Sequence, residues 1–182
     1  MRTSVFIATS IDGYIAREDG SLDWLVDTSG EESGEDYGYA AFMDTIDTVL
    51  LGRNTFDVVA GMDQWPYTGK RVVVCSNTTT VVDYPERIRG LFTIVAGSAD
   101  EAWDVVCSEG AQHVYADGGR LIQALLRSGR INDVTITRIP IILGQGIPLF
   151  ANTQRDILCE HVSTKDYNSG FVQSTYRLKY LQ

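Results

Sequence analysis

Apolar positions along this chain fall into short runs of strand length, separated by stretches of helical spacing, and the alternation continues almost to the C-terminus. Runs at 3–9 (TSVFIAT), 48–51 (TVLL) and 71–75 (RVVVC) predict strands, as do 91–96, 113–116 and 132–139. Ser98 with Glu101 three residues on, followed by Ala102, Trp103, Val106 and Cys107 at helical spacing, predicts a capping box opening an amphipathic helix. Leu121, Ile122, Leu125 and Leu126 share one face of a second helix that begins near Gly119 and stops at Ser128 and Gly129. Beyond it the pattern changes: 157–166 and 171–181 read as two strands around the turn Tyr167-Asn168-Ser169-Gly170. Residues 27–36 (DTSGEESGED) predict an acidic surface loop leading into a helix over 37–45. The sum is an α/β fold, a mostly parallel central sheet with flanking helices, closed by a C-terminal antiparallel hairpin.

Composition narrows this picture. With 182 residues, 44% of them hydrophobic, no internal repeat and no linker-like stretch, the chain is expected to form a single domain over 1–182. No run of eighteen apolar residues and no signal-like N-terminus are present, so a soluble, cytoplasmic protein without a membrane partner is expected. Cys75, Cys107 and Cys159 are odd in number and sit in or beside apolar stretches. With His113 and His161 as the only histidines, they predict free buried thiols and no metal site. The net charge of -9 argues against a nucleic-acid surface.

Three segments follow predicted parallel strands, at the strand ends where open α/β sheets bind ligands. In Gly52-Arg53-Asn54-Thr55, glycine permits close backbone approach and the amides of a helix start attract an anion. Arg53 stands where the helix dipole disfavours a cation, a placement that a bound phosphate offsets; the alternative is a solvated Arg beside a turn. Cys75-Ser76-Asn77-Thr78-Thr79-Thr80, after a strand preceded by Lys70 and Arg71, offers hydroxyl and amide donors and no acid before Asp83. That suits a 2'-phosphate, although a plain Ser/Thr-rich turn has the same composition. Asp117-Gly118-Gly119-Arg120-Leu121 places paired glycines at a helix start, which suits a pyrophosphate or an ordinary tight turn. Gly144-Gln145-Gly146 reads as a turn between strands, because Pro148 follows and no helix opens there. Asp12 reads as a turn residue beside Gly13, and Trp103 as core. Trp65 and Tyr67 could line a substrate pocket or simply pack a loop.

Four blocks carry a resemblance. Ala8 to Ala16 (ATSIDGYIA), Val49 to Phe56 (VLLGRNTF), Asp117-Gly118-Gly119 and Ile139 to Phe150 (IPIILGQGIPLF) resemble, in order, those of the dihydrofolate reductase-like superfamily. They are most similar to the RibD C-terminal domain, the reductase part of the bifunctional riboflavin-biosynthesis deaminase-reductases. The resemblance implies NADPH across the carboxyl edge of the sheet and a small pterin- or pyrimidine-like substrate, either dihydrofolate or the ribosylaminopyrimidine of riboflavin synthesis. It also implies a homodimer; the apolar run Ile139 to Phe150 could contribute its contact, or equally serve the core. It implies that Gly52, Arg53, Asn54 and Thr55 hold cofactor phosphates and that Ser76 and Asn77 meet the adenosine end. Asp117 opens the glycine loop in which Gly118, Gly119, Arg120 and Leu121 lie beneath the pyrophosphate, while Ala8, Ile15 and the loop to Trp24 border the nicotinamide. An ungapped match to the acidic residue of folate reductases selects Asp36 as the catalytic carboxylate; a simple acid at a helix N-terminus is the alternative. Two departures stand out. Phe6 occupies the place of a lysine of the riboflavin reductases, and Val58 to Pro66 lacks their Asp-Pro-x-Leu-x-Arg stretch, which puts a phosphoribosyl substrate in doubt. A nucleotide-binding protein of the same fold without turnover is the competing class.

Overall fold

The computed structural model describes residues 1–26 and 35–181, so most of the expected 27–36 loop lies outside the described residues. In chain order the elements are β1 (Arg2–Thr9), β2 (Tyr14–Ala16), α1 (Asp23–Val26), α2 (Tyr39–Asp44), β3 (Thr48–Gly52), α3 (Arg53–Ala60) and β4 (Arg71–Cys75). They continue with β5 (Thr93–Val95), α4 (Ala99–Ser108), β6 (His113–Asp117), α5 (Gly119–Arg127), β7 (Asp133–Arg138), β8 (Ile147–Pro148), β9 (Ile157–Asp166) and β10 (Val172–Tyr180). One sheet runs in the order β5-β4-β3-β6-β1-β7-β10-β9, and β2 pairs separately with β8. The first six strands of that order are parallel; β10 pairs antiparallel with β7 and with β9, which is the expected hairpin.

Strand alternation explains why both faces of the sheet are covered. Val5, Leu50, Val73 and Val114 point to one face, where Ala102 and Val106 of α4 and Leu121, Ile122 and Leu125 of α5 meet them. Val49, Leu51, Val72, Val74 and Tyr115 point to the other, beneath Met43 of α2 and Phe56, Val59 and Ala60 of α3. Leu50 and Leu51 are completely buried, each worth roughly 1.5–3 kcal/mol relative to exposure. The Ser98 capping box forms as expected, with Ser98 accepting from the Glu101 amide and the Glu101 carboxylate from the Ser98 amide. Trp103 is half-buried against the first face, donating to the Thr3 hydroxyl under the Arg130 guanidinium.

Three expectations need correction. The cysteines are free but not buried: Cys75 and Cys107 are half-buried and Cys159 is exposed, because β9 is the last strand of the sheet. The strand expected over 91–96 shortens to Thr93–Val95, since Leu91 and Phe92 belong to the turn after Ile88 and Phe92 packs on Phe56. The apolar stretch from Ile139 contains no strand before β8; Ile139 is buried while Ile142 is exposed. No described helix is long and apolar enough to cross a membrane.

At the amino edge of the sheet His113 is fixed between two elements. Its Nδ1 lies 3.1 Å from the Thr45 carbonyl and its Nε2 2.8 Å from the Ser4 hydroxyl. A carbonyl only accepts, so Nδ1 carries the proton and Ser4 donates to Nε2. Burial, and then the neighbouring Arg2, hold the imidazole below its ordinary value of 6.5. A neutral histidine of this kind contributes stability above its unfolded pKa and loses it as pH falls toward the folded one. Urea unfolding between pH 7 and 5 should therefore show a steeper loss of stability in the wild type than in His113→Gln; parallel curves would refute the assignment.

Candidate functional site

The carboxyl edge of the sheet brings the three loops together. Register pairs Gly52 with Cys75 across β3 and β4, and Leu51 with Asp117 across β3 and β6, so each loop leaves the sheet beside the next. A Cβ on Gly118, where φ is +117°, would stand 2.9 Å from the Thr55 hydroxyl and 3.2 Å from the Gly52 nitrogen; only glycine fits. A Cβ on Gly119 would meet Ile15 at 2.8 Å. Ile15 is on β2, so the β2–β8 pair closes over the glycine loop, fastened by Gln123 donating to the Pro148 carbonyl. Asp12 ties the same flap, accepting from the amides of Leu143 and Gly144. It is held below the usual carboxylate range by Ser10 and these amides, which is the turn role.

Helix starts at this edge differ from α4. α3 begins at Gly52 and α5 at Gly118, neither has a side-chain cap, and neither carries an acid in its first turn. α4 satisfies its own amides through Ser98 and places Asp100 and Glu101 in its first turn. Two uncapped, acid-free helix starts that meet through Gly118 fit an anionic group such as the pyrophosphate of a dinucleotide.

The donor-rich loop is held rigidly. Asn77 clamps Gly97 through both polar atoms, at 2.6 Å and 3.0 Å, and buried Ser76 accepts from the Thr79 hydroxyl at 2.9 Å. Arg53 is half-exposed, donating to Asp57 at 3.0 Å and to Asn54 at 2.9 Å. Arg120 is exposed at the start of α5, and Leu121 is buried beneath it. Lys70 and Arg71 lie at the opposite end of β4, tied to the Ile46 carbonyl and to Glu109, and take no part in the site. Ala8 is half-buried beside Trp24, and Trp24 packs with Ile139 and Phe171.

Sequence reading assigned Asp117 to cofactor binding and passed over its surroundings. Its carboxyl is half-buried, accepts from the Gly118 amide at 2.7 Å, and is reached by the Tyr115 hydroxyl, which also donates to the Phe6 carbonyl at 3.2 Å. Burial raises it above the ordinary Asp value, against the opposing pull of Tyr115 and Gly118. Tyr67 donates to Tyr39 nearby; burial pushes Tyr39 up to about 12 and Tyr67 higher. Tyr67 sits in the turn before β4 with its side chain buried in the second apolar layer, edge-on to Trp65. Phe6 stacks on Phe42 at 4.9 Å and meets Tyr39 edge-on at 5.8 Å, so the place of the riboflavin reductases' lysine is an aromatic wall. Tyr39, Tyr67 and Asp117 lie far apart in sequence, and no local pattern marks them as neighbours.

Asp36 is engaged at the start of α2. Both carboxylate oxygens accept amides, Gly38 at 2.9 Å and Ala40 at 2.8 Å, and these bonds, Ala40 first, hold its carboxyl low. It is an exposed anchor at the start of α2.

The model of the RibD C-terminal domain matches residues 3–173. The chain belongs to that family. It is 32% identical to the uncharacterized protein YwjB of Bacillus subtilis (strain 168) over 172 residues, covering 93% of this chain and 94% of that one. Uncharacterized YyaP of the same organism is 26% identical, with 93% and 91% covered. A solved protein from Shewanella sp. PV-4, described as a candidate for riboflavin biosynthesis, superposes with TM-score 0.88 at 36% identity, covering 99% of this chain and all of that one. The deaminase/5-amino-6-(5-phosphoribosylamino)uracil reductase of Thermotoga maritima shares the fold, with TM-score 0.74 at 12% identity over 98% of this chain and 56% of its own length. The RibD-like fold expected from the sequence is therefore present.

Replacing Asp36 by Ala should lower stability by about 1 kcal/mol through loss of the helix anchor while nucleotide affinity stays within twofold. Chemical denaturation and a binding titration check the two parts, and an intact stability would remove the anchoring role.

Proposed function

We propose that this RibD-family chain is an NADPH-dependent reductase acting on an electron-poor C=N or C=C bond of a small pterin- or pyrimidine-like heterocycle. The observation that carries this reading is the convergence, at one sheet edge, of two uncapped helix starts, a donor-rich loop and the Asp117 carboxyl, whose ionisation burial opposes. The reductase named for the Thermotoga maritima relative supports it.

When bound, NADPH supplies the hydride. Gly52, Asn54, Thr55, Gly118, Gly119, Arg120 and Leu121 form the phosphate cradle; Arg53, Ser76 and Asn77 face the 2'-phosphate, and Ala8 and Ile15 flank the nicotinamide. Asp117, rather than the anchored Asp36, gives the proton, because burial keeps it protonated into a pH range where an ordinary aspartate is ionised. Tyr39, raised further and accepting from the buried Tyr67 hydroxyl, stays protonated and orients the substrate as a hydrogen-bond donor. The β2–β8 flap and the wall of Phe6, Phe42 and Tyr39 keep water from the reacting atoms. That wall favours a flat ring without a phosphate at the Phe6 position. The cytoplasmic homodimer belongs to the same proposal, with the open edge of β9 available to a second copy.

Asp117→Asn should lower turnover on the order of a hundredfold, with NADPH affinity within threefold. In the wild type, turnover should fall as pH rises through the Asp117 pKa, and the variant should lose that limb. A variant with full turnover excludes Asp117 as the proton source. Arg53→Ala should weaken NADPH about tenfold and NADH little, read by tryptophan fluorescence; equal losses count against the phosphate assignment.

A further inference from the structure

Arg53 and Asp57 form an i,i+4 pair on the surface of α3, with each side chain more than two-fifths exposed. Such a pair on its own is worth little and does not fix a guanidinium. This one is anchored from below. The second carboxylate oxygen of Asp57 accepts the Tyr84 hydroxyl at 2.8 Å, and Tyr84 is only 7% exposed. The Tyr84 ring is fixed in turn, edge-on to Phe56 at 4.8 Å and to Phe92 at 5.4 Å.

On its other side the Tyr84 hydroxyl lies beside that of Thr79, and Thr79 donates to buried Ser76. The hydrogen-bonded run Arg53–Asp57–Tyr84 therefore ties the start of α3 to the segment that follows the loop after β4. Asn54 takes a further donor of Arg53 at 2.9 Å, so the guanidinium is held on two sides and the rest of its fork faces outward.

Building on the reading of Arg53 as partner of a 2'-phosphate, we infer that Tyr84, acting through Asp57, positions the Arg53 guanidinium and so sets the preference for a phosphorylated over an unphosphorylated dinucleotide. Tyr84 is a positioning residue: it touches Asp57 and the aromatic cluster. Without its hydroxyl, Asp57 becomes an ordinary surface carboxylate, and Arg53 must be ordered anew each time a phosphate arrives.

The test measures affinities of NADPH, NADH, 2'-AMP and 5'-AMP for the wild type, Tyr84→Phe, Arg53→Ala and the double variant. Tyr84→Phe keeps the ring in its cluster, and it should weaken NADPH and 2'-AMP about fivefold and leave NADH and 5'-AMP unchanged. In the Arg53→Ala background the same change should have no further effect. Equal losses for both nucleotide types, no loss, or a loss that persists without Arg53 would overturn the inference. Asp57→Asn, which should cost the same selectivity, serves if Tyr84→Phe does not fold. A wild type without preference for the phosphorylated ligands defeats the NADPH reading and this inference together. A wild type with that preference and an unmoved Tyr84→Phe defeats the inference alone.

Discussion

The contact between two backbones at Gly118 is the constraint from which the rest of the site follows. A single methyl group there would press on Thr55 and on the Gly52 nitrogen, so the loops after β3 and β6 approach as closely as main chains can. That approach requires β6 to lie beside β3, which the sheet order provides by inserting β6 between β3 and β1. It also sets the starts of α3 and α5 side by side, with their amides exposed to the same space. The apolar layers on the two faces serve this geometry by fixing the strand ends against which the loops are braced.

Around that contact the polar groups divide by chemistry. Arg53, Ser76 and Asn77 sit toward the outer strands, in a region of donors with a cation. Asp117, Tyr115, Tyr39 and Tyr67 sit toward the centre of the sheet, where desolvation raises each of them. One edge therefore carries an exposed cation at its outer end and, nearer the centre, groups whose ionisation burial opposes.

Sequence periodicity revealed the strands and α4 and α5 to within a few residues, because those segments carry a buried face of their own. The glycine loops were equally readable, since paired glycines stand at a helix start and only glycine suits position 118. What escaped was cooperative. β2 and β8 are three and two residues long and exist through each other, so neither has a period to detect. The environment of Asp117 depends on Tyr39 and Tyr67, placed there by chain folding. Lys70 and Arg71 looked useful beside Ser76 in the sequence, but a five-residue strand separates them from it and reverses their significance. Asp36 accepts two amides at the start of α2, an arrangement that sequence spacing alone does not display.

The contrast between the self-satisfied start of α4 and the bare starts of α3 and α5 carries one more consequence. A polypeptide that omits its own caps at two adjoining helices leaves part of its hydrogen bonding to be completed by solvent or by a visitor. An anion held there would couple the native state by mass action to its own concentration, and resistance to unfolding would then gauge how much of that anion the surroundings hold.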